Sequence, residues 1–235
     1  HLVGGEAQEA LDDCQLGGAR IRGTVYDGTP GTSAPPATLG PFAMTAFPAD
    51  PRPNGWSSPT VADVPSPLGG TVVFSDATGM QHLIIGTGWG SWSHGYSGDV
   101  YYTDFFALTM TLPPSTGAFY CYVEPNPFSD IVFTASSDDG TSSGAFTVNG
   151  AGGAKYVGFY VGGTGSIASI TISTAGTDFA VGEFGIAAGA TGADCNGNGI
   201  PDECDIASGT SGDCNENDIP DECEDDCNDN GVADE

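Results

Sequence analysis

The stretch IASITIS, residues 167 to 173, alternates apolar Ala168, Ile170 and Ile172 with polar Ser169, Thr171 and Ser173. A period of two is what a half-buried β-strand requires. FTVNG (146–150) follows the same rule. Outward from these two, the chain from Ala19 to about Ala188 consists of short β-branched and aromatic runs separated by clusters of Gly, Pro, Asn, Asp and Ser. Helical periodicity is absent, and the pattern is that of an antiparallel all-β domain. Strands are expected at 19–26, 42–47, 70–75, 82–86, 100–112, 118–124, 130–136, 144–150, 155–161, 167–173 and 178–186. So many short strands in one domain predict a two-sheet, jelly-roll-like sandwich over residues 19–190. The Pro-rich stretch 39–70 is expected to wrap an edge or end of it, where prolines also block unwanted strand pairing. Residues 1–18 form an amino-terminal segment, whose one candidate helix is EAQEALDDC (6–14).

A different chemistry begins at the small-residue linker AAGATGA (187–193). The whole chain carries 31 acidic and 4 basic residues, a formal charge of −27. Residues 192–235 hold 15 of the acids, no Lys or Arg, and almost no large apolar side chain. Such a segment cannot bury a core of its own. The charge makes nucleic acid and anionic membranes poor partners and cations natural ones. No apolar run approaches the roughly 20 residues of a membrane helix. The amino terminus lacks the regions of a signal peptide, so a leader is expected to have been removed already. Seven cysteines, five of them in the tail, point to an oxidising, secreted setting.

The tail, 191–235, repeats a phrase: DCNGNGIPDEC (194–204), DCNENDIPDEC (213–223) and DCNDNGVADE (226–235). Oxygen ligands at positions 1, 3, 5, 7, 9 and 12 of a loop, with a turn-permitting residue at 6, describe a calcium-binding segment. Asp194, Asn196, Asn198, Ile200, Asp202 and Asp205 fill those positions in the first copy, with Gly199 at the turn. Asp213, Asn215, Asn217, Ile219, Asp221 and Glu224 fill them in the second, where Asp218 replaces Gly. The third supplies Asp226, Asn228, Asn230, Val232 and Asp234. Position 7 gives its carbonyl, and alternate side chains turn inward to supply the oxygens a hard cation wants. Two complete Ca²⁺ loops are expected, and a third completed by another residue or subunit. Runs of like charge are usually solvated tails; ordered alternation repeated three times is not explained that way.

These loops resemble those of type I dockerins and thrombospondin type 3 repeats. The second resemblance is closer, because IASGTSG (206–212) is a short linker and only Asp225 separates the second and third loops. It implies calcium ions threaded on a core-poor chain stapled by disulfides, for example Cys204 to Cys214 and Cys223 to Cys227, although spacing leaves the connectivity open. The body, over roughly residues 39–190 and through LPPSTGAFYCYVEPNPFSDIVFTASSDDGTSSGAFTVNG (112–150), resembles a β-sandwich module of secreted bacterial surface proteins. That resemblance implies a fold and a surface location without an activity.

No GxSxG elbow, HExxH helix, phosphate loop or zinc-spaced Cys/His set is present, so no catalytic residue is nominated and no enzyme is expected. Trp89 and Trp92 in GWGSWSHGYSGD (88–99) suit either a sugar-stacking platform or, the preferred reading, a packing cluster. Asp178 and Glu183 are weighed as ligands of a structural calcium. An odd cysteine count, with an incomplete third loop, raises two alternatives: a natural chain that continues past Glu235, or a head-to-tail contact in which Asp12 or Asp13 and Cys14 of one copy serve another. The expected function is a secreted structural protein, an extracellular fibre or matrix subunit joined to copies of itself. The alternative is a glycan-binding or adhesion module on a calcium-stiffened stalk.

Overall fold

The computed structural model describes residues 23–28, 30–162, 165–189, 202, 205–206, 209–213 and 219–223. By internal contacts the chain divides into two compact units. One is Gly23–Gly162 with Ser166–Gly189, and the other takes in the tail.

The first unit is an antiparallel β-sandwich. One sheet runs in the order β1 (Thr24–Tyr26), β13 (Lys155–Val161), β10 (Thr116–Pro125), β15 (Phe179–Ala188), β8 (Asp99–Thr103), β7 (Gln81–Ile84), and β4 (Thr45–Ala46) also pairs with β15. The facing sheet runs β12 (Ser142–Asn149), β11 (Asp130–Ser137), β14 (Ser169–Thr174), β9 (Ala107–Thr111), β6 (Thr71–Phe74), β5 (Asp63–Pro65). A small hairpin joins β2 (Thr38–Leu39) to β3 (Phe42–Ala43). The alternation in 167–173 is realised in β14, where Ile170 and Ile172 are buried at 1% and 0% exposure. They meet Tyr101, Phe119, Phe159 and Phe179 of the other sheet in a continuous core. Outward on β14 stand hydroxyls, and Thr171 and Ser173 hydrogen-bond across the strands to Thr109 and Thr134.

β10 is buried at every one of its 10 positions. Its inner face meets the second sheet. Its outer face is covered by Leu39 and Phe42 of the β2–β3 hairpin and by Trp92, which pack on Tyr120, Tyr122 and Tyr156. Gly185 of β15 lets the Tyr120 ring cross the sheet, since a Cβ there would collide with it.

Two expected strands are broken in ways the sequence conceals. The run 100–112 divides into β8 and β9, which belong to different sheets. Thr103 Oγ1 donates to Asp76 Oδ2 at 2.8 Å and accepts the Phe105 N–H at 3.2 Å, turning the chain across the sandwich. The run 42–47 divides at Met44, whose N–H bonds back to Ala37 O at 2.9 Å.

The Pro-rich stretch does line an edge. Gly55 N–H donates to His82 O, and Gln81 Nε2 donates to Gly55 O, along the edge strand β7. A polar network fixes it there. Arg52 forks onto Asp50 and reaches Asp63; Tyr101 Oη donates to Asp50; Asp99 Oδ2 accepts the Asp50 N–H while its Oδ1 pairs with His82 Nε2 at 2.7 Å. The candidate helix 6–14 and residues 19–22 lie outside the described residues.

Candidate metal centre

In the first loop Asp202, Asp205 and Ile206 have helical backbone. Positions 9 and 12 of the loop are three residues apart in sequence, the spacing at which side chains on a helical backbone are neighbours. Asp202 is 4% exposed and Asp205 is 0% exposed. Aspartates reach such burial only with compensating donors or a cation. The helical turn ends in a Schellman cap: Thr210 N–H donates to Asp205 O at 2.9 Å, Gly209 N–H to Ile206 O at 3.1 Å, and Gly209 takes φ 74°.

The second loop has the same local form. Asp221–Cys223 is a turn of 3₁₀ helix that begins at position 9, closed by Cys223 N–H to Pro220 O at 2.8 Å. Pro suits the entry to such a turn because its fixed φ is already helical. The Asp221 N–H donates to Gly212 O at 2.8 Å, so the residue before position 1 is bonded to position 9. A Cβ on Gly212 would stand 2.5 Å from Asp221 Oδ2, so a larger residue there would push the tip of that carboxylate aside. Ser211 donates to the Glu222 carboxylate. Asp213 and Asp221 are half-buried, and Ile219 is 44% exposed. Asp194, Asn196, Asn198, Ile200, Asn215, Asn217, Glu224, Asp226, Asn228, Asn230, Val232 and Asp234 lie outside the described residues, as do Asp12, Asp13 and Cys14.

Cys223 is disulfide-bonded. Cys121 is a free thiol, 1% exposed in the sandwich core, where burial raises its pKa. It accounts for the odd cysteine, which leaves an even number elsewhere. The parity argument for a cysteine shared between copies therefore falls.

On the sandwich, two glutamates sequence reading did not connect hold down the loop 85–98. Glu124, 1% exposed on β10, accepts from Trp89 Nε1 at 2.6 Å and Ser91 Oγ at 2.9 Å. Burial pushes its carboxyl up to about 7 against the lowering pull of those two bonds. Glu183 on β15 accepts from Trp92 Nε1 at 2.9 Å and pairs with His94 Nε2 at 3.0 Å. Its pKa too is raised by burial, with Trp92 and His94 opposing. A β-bulge aims it: β15 carries an extra residue between the pairs Tyr120–Gly185 and Tyr122–Gly182, and Glu183 takes φ 52°. Trp89 is 6% exposed, so the packing reading of the tryptophan cluster holds. Asp178 accepts from Tyr102 Oη, Asn126 Nδ2 and Thr177 Oγ1 and shares no partner with Glu183, so the two form separate hydrogen-bond clusters. The sequence signal for Glu124 and Glu183 is one carboxylate inside an otherwise apolar strand.

No protein-family model matches the chain, and no curated protein is significantly similar to it. Among the described residues no helix is long and apolar enough to cross a membrane.

Proposed function

We propose that the chain is a secreted structural protein, an extracellular fibre or matrix subunit, whose tandem tail loops hold Ca²⁺, stiffen the tail and link copies of the sandwich. The observation that carries this reading is the tail's repeated spacing of oxygen ligands, joined by the two buried aspartates three residues apart in its first loop. Position 9 has helical backbone in both complete loops, which supports the reading because side chains three residues apart on such backbone are neighbours. The donor set is all oxygen, as hard cations require. Calcium would neutralise part of a segment that otherwise repels itself, in the manner of the thrombospondin type 3 and dockerin loops it resembles.

The test is particle mass by light scattering in millimolar calcium and again after excess chelator without reductant, with electron microscopy of the same samples. Long particles that shorten or loosen on chelation support the reading. A monomer in both conditions sinks it. The second reading, a glycan-binding or adhesion module on a calcium-stiffened stalk, is favoured by one feature of the sandwich surface, a pair of exposed aromatics that share a depression.

A further inference from the structure

Five aromatic or indole side chains near one end of the first sheet divide into two kinds. Trp89, Trp92 and Tyr102 are packed. Trp56 and Phe128 are not: they stand 55% and 74% exposed. Both line the same depression of about 90 Å³, with Trp89, Ser91 and Asn126 also on its wall. Exposed large apolar side chains scattered singly need no explanation, but two that converge on polar groups in one concavity do.

The depression is built. Trp56 donates its Nε1–H to Gly88 O at 3.0 Å and stands edge-to-face on Tyr102, with centroids 5.1 Å apart at 69°. An indole held by both its N–H and a neighbouring ring presents a fixed face. Gly88, Trp89 and Ser91 belong to the loop that Glu124 clasps, so the opposite wall is fixed as well. Asn126 donates Nδ2 to Asp178 at 2.7 Å, which orients the amide and leaves Oδ1 as an acceptor. Rigid aromatic faces beside oriented hydrogen-bonding groups match a sugar ring, whose C–H faces are apolar and whose rim is hydroxyl.

We propose that this depression, formed by Trp56, Phe128, Asn126 and the Gly88–Ser91 loop, binds a pyranose ring of an uncharged polysaccharide. Charge selects the class. The molecule carries −27, and the Asp178 carboxylate lies just behind the wall, bonded to Asn126, so uronates and sulfated sugars are repelled. Shallowness sets the strength: one ring held on an open surface binds with a Kd of about 1 mM. Several copies in a fibre would multiply that through avidity. The inference stands on the sandwich alone and does not depend on the calcium reading of the tail.

The test uses the full chain, with and without chelator, retained on insoluble cellulose, chitin, mannan and β-1,3-glucan, with a sulfated and a uronate polymer as charged controls. Trp56→Ala and Phe128→Ala are compared with Phe106→Ala, an equally exposed aromatic outside the depression. The expected result is retention on at least one uncharged polymer, reduced ten-fold or more by Trp56→Ala and by Phe128→Ala and unchanged by Phe106→Ala, in variants whose melting temperature matches the parent. Persistence of that pattern in chelator separates it from failure of the tail reading. Absence of retention on every uncharged polymer overturns the proposal. So does equal loss in Phe106→Ala, preference for the charged polymers, or retention untouched by Phe128→Ala, which sits at the surface and has no folding role to lose. A change in particle mass in Trp56→Ala without any glycan retention would assign the depression to another copy of the chain instead.

Discussion

A carboxylate at 1% exposure, as at Glu124, sits where water cannot solvate its charge, and its two hydrogen bonds from Trp89 and Ser91 only partly replace that water. The folded pKa, about 7, therefore lies above the unfolded value of 4.5. Between those values the folded state binds the extra proton, so this residue contributes stability that is present at pH 4.5 and is lost as the pH rises to about 7. The loss amounts to at most about 3 kcal/mol. Glu124→Gln, which keeps the shape and an acceptor for Trp89, is expected to flatten that decline in denaturant midpoints measured from pH 5 to 8. An unchanged pH slope in the variant would show that Glu124 is ionised throughout. Asp50 has the opposite sign. Burial would raise its carboxyl, but the Arg52 and Tyr101 hydrogen bonds outweigh it and hold the pKa at about 2. That stability is full above the ordinary aspartate range and is lost as the pH falls toward 2. Arg52→Ala leaves Asp50, whose side chain is 1% exposed, without its counterion and costs about 3 kcal/mol in urea unfolding at pH 7. A cost under about 0.5 kcal/mol would mean that Tyr101 and the backbone hold the carboxylate unaided.

At the scale of elements, the loop-and-turn unit of the tail makes its own prediction. Gly212 leaves room for the Asp221 carboxylate, so on the calcium reading Gly212→Ala is expected to shift position 9 while leaving every oxygen in the sequence. Calcium titration by calorimetry is expected to find two tight sites in the parent, with one of them weakened roughly 10- to 100-fold in the variant. Asp205→Ala removes the other. Affinity unmoved by Gly212→Ala would separate position 9 from the metal. The strands were legible because β14 and β12 alternate residue by residue, just as the tail's repeat of oxygen donors is read from fixed positions in the sequence. Both signals are local. The break between β8 and β9 was not legible, since it depends on Thr103 meeting Asp76, 27 residues away in the chain. Glu124 was missed for the same reason: its donors Trp89 and Ser91 are 35 and 33 residues distant, and the strand AFYCYVE by itself reads as an ordinary apolar run ending in a charge. Trp56 was hidden among the prolines of its stretch, where exposure is decided by how the segment lies along β7.

For the whole molecule the governing quantity is the charge of −27, nearly half of whose acids lie in the last 44 residues. Copies of such a chain repel, and two different agents could relieve that repulsion. Salt screens it: at 0.1 M the Debye length is about 10 Å, and exposed charges beyond that distance cease to interact. Coordination relieves it in another way, by placing a divalent ion among oxygens fixed in number and spacing, which screening cannot imitate. The two are separable. If the tail loops link copies, assembly followed by light scattering rises with calcium at constant ionic strength, and sodium chloride at matched ionic strength with chelator produces none of it. Magnesium, which demands tighter octahedral geometry and gives up its water reluctantly, is expected to substitute poorly. Asp205→Ala, removing one carboxylate of 31, alters the overall field by little and the first loop entirely. Assembly that survives in Asp205→Ala, or that sodium chloride restores, would make calcium a mere counterion and the tail a solubilising segment. Assembly lost in that variant and absent in salt would place the joint between copies in the loops themselves.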